Sequence, residues 1–197
     1  RWGTPLPVES EAATQSGGND TYLTAESAQY NFSPFQNNVL YHMGLSGAID
    51  QIRDIDWFRI GVLHPGDRIS ISDSGVSGQR GTLRDPQVWL VRANNGQALT
   101  VASNDDGGPG TDGLISRFVI DAEDTYYVVA GPFESTRVND PAIGTYELGI
   151  WLQSAQGAPG TGPAAPAEKE PNNRVGQAQN ASASWRPTEY LSRTSGT

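Results

Sequence analysis

Between residues 39 and 152 the chain alternates short apolar runs with clusters of turn-forming residues, and much of it repeats with a period of two. Half-buried strands leave that pattern, because successive side chains of a strand point to opposite faces. It predicts strands near 39–49 (VLYHMGLSGAI), 56–62 (DWFRIGV), 67–73 (DRISISD) and 87–93 (QVWLVRA). Further strands are predicted near 98–102 (ALTVA), 114–120 (LISRFVI), 125–131 (TYYVVAG) and 144–152 (GTYELGIWL). The runs are separated by turn chemistry such as His64-Pro65-Gly66-Asp67, Asn94-Asn95-Gly96 and Asn139-Asp140-Pro141. Short strands at close spacing, with no long helical pattern, predict an all-β chain. The expected architecture is an antiparallel β-sandwich, jelly-roll-like, with extended N- and C-terminal segments.

The pattern also sets the organisation. Residues 1–14 read as an N-terminal extension and 15–152 as the sandwich module. Residues 153–167 form a Gly/Ala/Pro linker with nothing to bury. Residues 168–197 are a C-terminal tail whose Asn172-Asn173 and Ala178-Gln179 repeat the spacing of Asn19-Asp20 and Ala25-Glu26. Such an echo reads as the opening of a next repeat.

Composition narrows the partners. The chain of 197 residues has 22 Asp+Glu against 13 Lys+Arg, a formal charge of -9. That balance argues against nucleic acids and anionic membranes as partners, since both need basic patches. No apolar run has the length of a membrane span, so membrane insertion is not expected. With no cysteine, neither disulfides nor thiolate metal sites are available. The chain opens on Arg1 rather than Met, which reads as a processed protein or an excerpt of a longer one.

Residues 103–116 (SNDDGGPGTDGLIS) carry the candidate chemistry. Gly107 to Ile115 fits the nonapeptide of calcium-binding β-rolls, but a roll holds each ion between successive copies and this chain has one. Asn104, Asp105, Asp106 and Asp112 could instead form an oxygen cage for calcium, the glycines letting carbonyls turn inward. The competing reading is a structural turn, since Asn and Asp favour turns through their own side-chain hydrogen bonds.

Several ordered segments resemble the bacterial pre-peptidase C-terminal domain family. They are Gly47-Ala48-Ile49 with Asp54-Ile55-Asp56-Trp57-Phe58, then Gly66-Asp67-Arg68-Ile69-Ser70-Ile71. Asp85-Pro86-Gln87-Val88-Trp89-Leu90 and Ala102-Ser103-Asn104-Asp105-Asp106 follow, then Thr125-Tyr126-Tyr127-Val128-Val129 and Gly144-Thr145-Tyr146-Glu147-Leu148. Glu170-Pro171-Asn172-Asn173 resembles the family opening a second time. The resemblance implies a secreted or cell-surface bacterial β-sandwich. In relatives that bind calcium, the opening segment and the D-x-D entry supply ligands, which implies Asn19, Asp20, Asp54 and Asp56 here. The first opening departs from the pattern, because Gly17-Gly18-Asn19-Asp20-Thr21 has neither Glu nor Pro. Asp54 and Asp56, as alternate residues of a strand, would point the same way and need a cation or donor between them. The other reading is that both cap the strand and accept hydrogen bonds from backbone, Arg53 or Arg59.

Catalysis is not expected. The chain has two histidines, His42 and His64, and no G-x-S-x-G elbow. Only a pair of facing carboxylates, as in glycosidases, is left open by sequence. Trp57, Trp89, Trp151, Tyr126, Tyr127 and Tyr146 read as sheet packing, and Trp2 and Trp185 as anchors of the terminal segments. The function expected is therefore a non-catalytic secreted or cell-surface module that assembles with like modules, as a tandem array or head-to-tail filament, with calcium as its candidate ion. The tail 168–197 would pack on the sandwich edge of a neighbouring copy through Trp185, Tyr190 and Leu191. The alternatives are an accessory domain of an exported peptidase and a carbohydrate- or collagen-binding module.

Overall fold

The computed structural model describes residues 6, 19–28, 32–36, 40–51, 54–94, 97–133, 143–154 and 156. The tail 168–197 with its anchors, almost all of the expected linker and the extension 1–14 apart from Leu6 lie outside the described residues. The described residues hold ten strands. They are β1 (Glu26–Ser27), β2 (Ser33–Gln36), β3 (Leu40–Ile49), β4 (Asp56–Leu63) and β5 (Arg68–Ser74), then β6 (Pro86–Asn94), β7 (Gln97–Asn104), β8 (Gly113–Val119), β9 (Asp124–Pro132) and β10 (Gly144–Gln153). Each of the predicted strands is present within two residues of its expected bounds. The short β1 and β2 were not anticipated.

The pairing is nested. β3 pairs with β10, β4 with β9, β5 with β8 and β6 with β7, all antiparallel. Strands β3 to β10 are thus one long hairpin wrapped on itself, the jelly-roll form of the sandwich. Contacts of β10 with β5 and of β9 with β6 complete two five-stranded sheets, ordered β1-β4-β9-β6-β7 and β2-β3-β10-β5-β8. β1 lies parallel to β4, the one parallel pair among the described strands.

Alternation decides which side chains meet between the sheets. Tyr41, Met43, Leu45 and Ile49 of β3 are buried, as are Tyr146, Leu148, Ile150 and Leu152 of β10. Fully burying a side chain of this size contributes about 1.5–3 kcal/mol. At Gly47, also an inward position, a Cβ would strike the Tyr146 ring that lies directly across the ladder. The missing side chain lets the phenol cross the core and donate to Asp56 Oδ2 on the facing sheet at 2.6 Å.

β9 is buried on both faces. On the outside of its sheet, Tyr22 and Ala25 pack over Val91, Tyr127 and Val129, joined by Trp57 and Trp89. Tyr22, Trp57 and Tyr127 lie 6.1–6.4 Å apart, tilted or edge-on to one another. These aromatics are a second, smaller core rather than an open platform.

Candidate functional site

Register gathers the acidic residues. β3, β5 and β7 end, and β4, β6 and β8 begin, at one end of the sandwich, since Ile49 pairs with Gly144, Asp56 with Ala130, Asp73 with Gly113 and Val88 with Asn104. Asp54, Asp56, Asp73, Asp85, Asp105, Asp106 and Asp112 all stand there.

The expected cage of residues 104–112 divides into separate parts. Asn104 Oδ1 accepts the N–H groups of Gly107 at 2.6 Å and of Leu114 at 2.9 Å, so this amide ties the loop to β8. Asp85, outside the loop, has its carboxyl pushed up from its ordinary value by burial and then by the charges of Asp106 and Asp105. Asp112 turns inward. It is fully buried, and its Oδ1 accepts from the Gly75 N–H at 3.1 Å.

Asp112 meets a residue that the sequence reading did not single out. Asp73 occupies the third inward position of β5, after Ile69 and Ile71, and is fully buried. Burial first, and the Asp112 charge second, push its carboxyl well above the usual carboxylate range. Neither Asp73 oxygen has a hydrogen-bond partner, nor has Asp112 Oδ2. Groups so placed cost free energy unless something compensates them. Inward phase on β5 was the available sequence signal, but Asp73 reads as a polar strand end until its register with Gly113 is known.

The second expected group sits nearby with different duties. Asp54 is not in the strand with Asp56, because β4 starts at Asp56. Asp54 instead closes the preceding turn, its Oδ2 accepting from the Asp50 N–H at 2.9 Å. Burial still alternates across the boundary, with Asp54 and Asp56 buried and Ile55 between them packed in the outer cluster beside Trp57. Asp56 points between the sheets to Tyr146. Asn19 is buried, and its carbonyl accepts from the Trp57 N–H at 2.9 Å, which brings the 19–28 segment beside Asp56. Asp20 is half-buried. Arg53 lies outside the described residues. Among the described residues no three His, Cys, Asp or Glu side chains converge as a metal-holding group.

The histidines are apart from this end. His42 lies against Trp151, ring centroids 4.9 Å apart, and burial lowers its pKa. His64 opens the turn to β5, where Asp67 Oδ2 accepts its backbone N–H at 2.9 Å and Gly66 takes φ 92°. A proline followed by a glycine with positive φ is a type II turn.

No family model matches the chain, and no curated protein matches it. Among solved structures it is similar to Aeromonas hydrophila PliG, a periplasmic inhibitor of g-type lysozyme, at 14% identity and a TM-score of 0.41. That match covers 66% of this chain and 94% of the other. Salmonella Typhimurium PliG, described in the same words, is similar at 13% identity and a TM-score of 0.38, covering 66% of this chain and 98% of that one.

Proposed function

We propose that the chain is a non-catalytic module of an exported protein, one that joins like modules along the open edge of β7, with residues 168–197 of a neighbouring copy as the added strand. The edge itself carries this reading. β7 is outermost in its sheet, and residues 97–100 are regular in register, exposed and uncharged. Leu99 is 44% exposed there. Sheet edges usually carry charges or interruptions that discourage pairing. β7 has its own register shift only beyond Thr100, whereas β8, an outer strand of the other sheet, carries both a charge at Arg117 (φ 50°) and a register shift opposite Ile69 and Ile71.

Export is supported by the ordered resemblance to the pre-peptidase C-terminal domain family. The non-catalytic reading is supported by the separate structural settings of His42 and His64. A sugar-binding role has less support, because Trp57 and Tyr127 are packed beneath Tyr22.

Light scattering across a concentration series tests the proposal. The 1–197 chain should grow in size with concentration, and a chain ending at residue 167 should stay monomeric. Leu99→Lys, which places a charge on the edge, should raise the dissociation constant about tenfold or more, roughly 1.4 kcal/mol. Assembly that is unchanged without residues 168–197 overturns the proposal.

A further inference from the structure

We propose that Asp73 and Asp112 hold one calcium ion inside the acidic end of the sandwich, beneath residues 75–85. The site is distinct from the ion positions that the family resemblance implies, and it does not depend on the assembly reading above.

The geometry supplies four arguments. First, two fully buried carboxylates present three oxygens with no hydrogen-bond partner, both of Asp73 and Oδ2 of Asp112. Two adjacent carboxylates cannot both stay ionised in such a place without a cation between them.

Second, backbone packs closely over the pair where glycines stand in place of side chains. A Cβ on Gly78 would strike Asp112 Oδ2, so only a glycine lets the covering segment pass over this oxygen. A Cβ on Gly113, the ladder partner of Asp73, would stand 2.9 Å from the Asn104 carbonyl oxygen and 3.1 Å from that of Pro86. Two carbonyl oxygens thus lie close to the residue that pairs with Asp73.

Third, the cover is built rather than loose. Val76 N–H donates to the Leu83 carbonyl at 2.8 Å, and the Thr82 and Leu83 N–H groups both donate to the Thr145 carbonyl at 2.9 Å. Thr111 Oγ1 donates to the Arg84 carbonyl at 2.6 Å and lies 3.2 Å from Ser77 Oγ. The loop holding Asp112 and the segment above it are thereby fastened together. Arg80 of that segment turns away to Glu147 at 2.9 Å, so its charge is spent elsewhere.

Fourth, the donor set points to a hard divalent cation. Carboxylates and carbonyls are hard oxygen ligands, suited to calcium and not to the nitrogen and sulfur preferences of zinc or copper. No third acidic or imidazole side chain joins the pair among the described residues. Backbone carbonyls and water must then complete the six to eight ligands that calcium takes.

The test uses the whole 1–197 chain, with calcium chloride against chelator, in thermal melts and titration calorimetry. At calcium about 100 times the dissociation constant, the melting temperature should rise by about 5–10 °C. Asp73→Asn and Asp112→Asn should each abolish both the shift and the heat of binding. Asp105→Asn with Asp106→Asn should leave them within about twofold of the parent affinity. Asp73→Asn should also fold at least as well as the parent in chelator, which separates loss of the ion from loss of the fold. No calcium response from the parent overturns the proposal. So does a response that survives Asp73→Asn, or one that disappears with the Asp105/Asp106 pair.

Discussion

Gly47→Val should cost the fold about 3–5 kcal/mol, read from urea unfolding with an unchanged slope. The added methyls fall where the Tyr146 ring lies, so the ring must leave its buried slot. Overpacking of this kind costs about 1–3 kcal/mol on its own. Moving the ring also withdraws the phenol O–H from Asp56 Oδ2, a buried acceptor whose loss of a donor costs about 1–3 kcal/mol more. Tyr146→Phe isolates the second part and should cost about 2 kcal/mol, because it keeps the ring and removes only the hydroxyl. In the double variant the costs should fall short of their sum, since both substitutions break the same Tyr146 to Asp56 bond. A loss below about 1 kcal/mol for Gly47→Val would mean that the ring has another place to go.

With calcium chelated, the parent chain should lose stability relative to Asp73→Asn as pH rises from about 4. The Asp73 carboxyl titrates well above the usual range in the folded protein, through burial and then the Asp112 charge. Below the ordinary carboxylate pKa both folded and unfolded chains hold this proton, and the native contribution is whole. Above it the unfolded chain releases the proton while the folded chain retains it. Folding then takes up a proton, and stability falls by about 1.4 kcal/mol per pH unit until the folded group itself titrates. The difference between parent and Asp73→Asn is the quantity to follow, because other carboxylates titrate over the same range. Asp112 is the charged group acting on Asp73. Glu147 of the adjoining strand β10 alternates with the inward Tyr146 and Leu148, and so faces away. Saturating calcium should flatten the difference curve by displacing the proton. A flat curve in chelator between pH 4 and 7 would mean that Asp73 is solvated.

Most of the fold was legible because strands buried on one face leave period-two traces, as β3, β4, β5 and β10 do, while β7, β8 and β9 were marked by short apolar runs between turn residues. β1 and β2 were not. A strand of two residues lying parallel to β4 owes its pairing to the tertiary fold, and no local pattern marks it. The acidic end was half legible. Asp112 was singled out, but Asn104, Asp105 and Asp106 were grouped with it because they are neighbours in sequence. Two N–H groups claim the Asn104 oxygen, and the charges of the flanking aspartates act on Asp85. Asp73 lies far from this loop along the chain, and only the ladder between β5 and β8 brings the two together.

The nested pairing bears on how fast the chain can find its structure. β6 and β7 are joined by two residues, and their hairpin can close with little loss of loop entropy. Each outer pair, β5 with β8, β4 with β9 and finally β3 with β10, spans a longer stretch, shortened in effect once the pair within it has formed. Zipping outward from one hairpin is therefore the least costly order of assembly, yet every later step joins residues distant in sequence. Chains dominated by such contacts fold in milliseconds to seconds rather than microseconds. The central strands β3 and β10, which bury so much of the core, would be the last to arrive, and until then their apolar faces stand open to one another's copies.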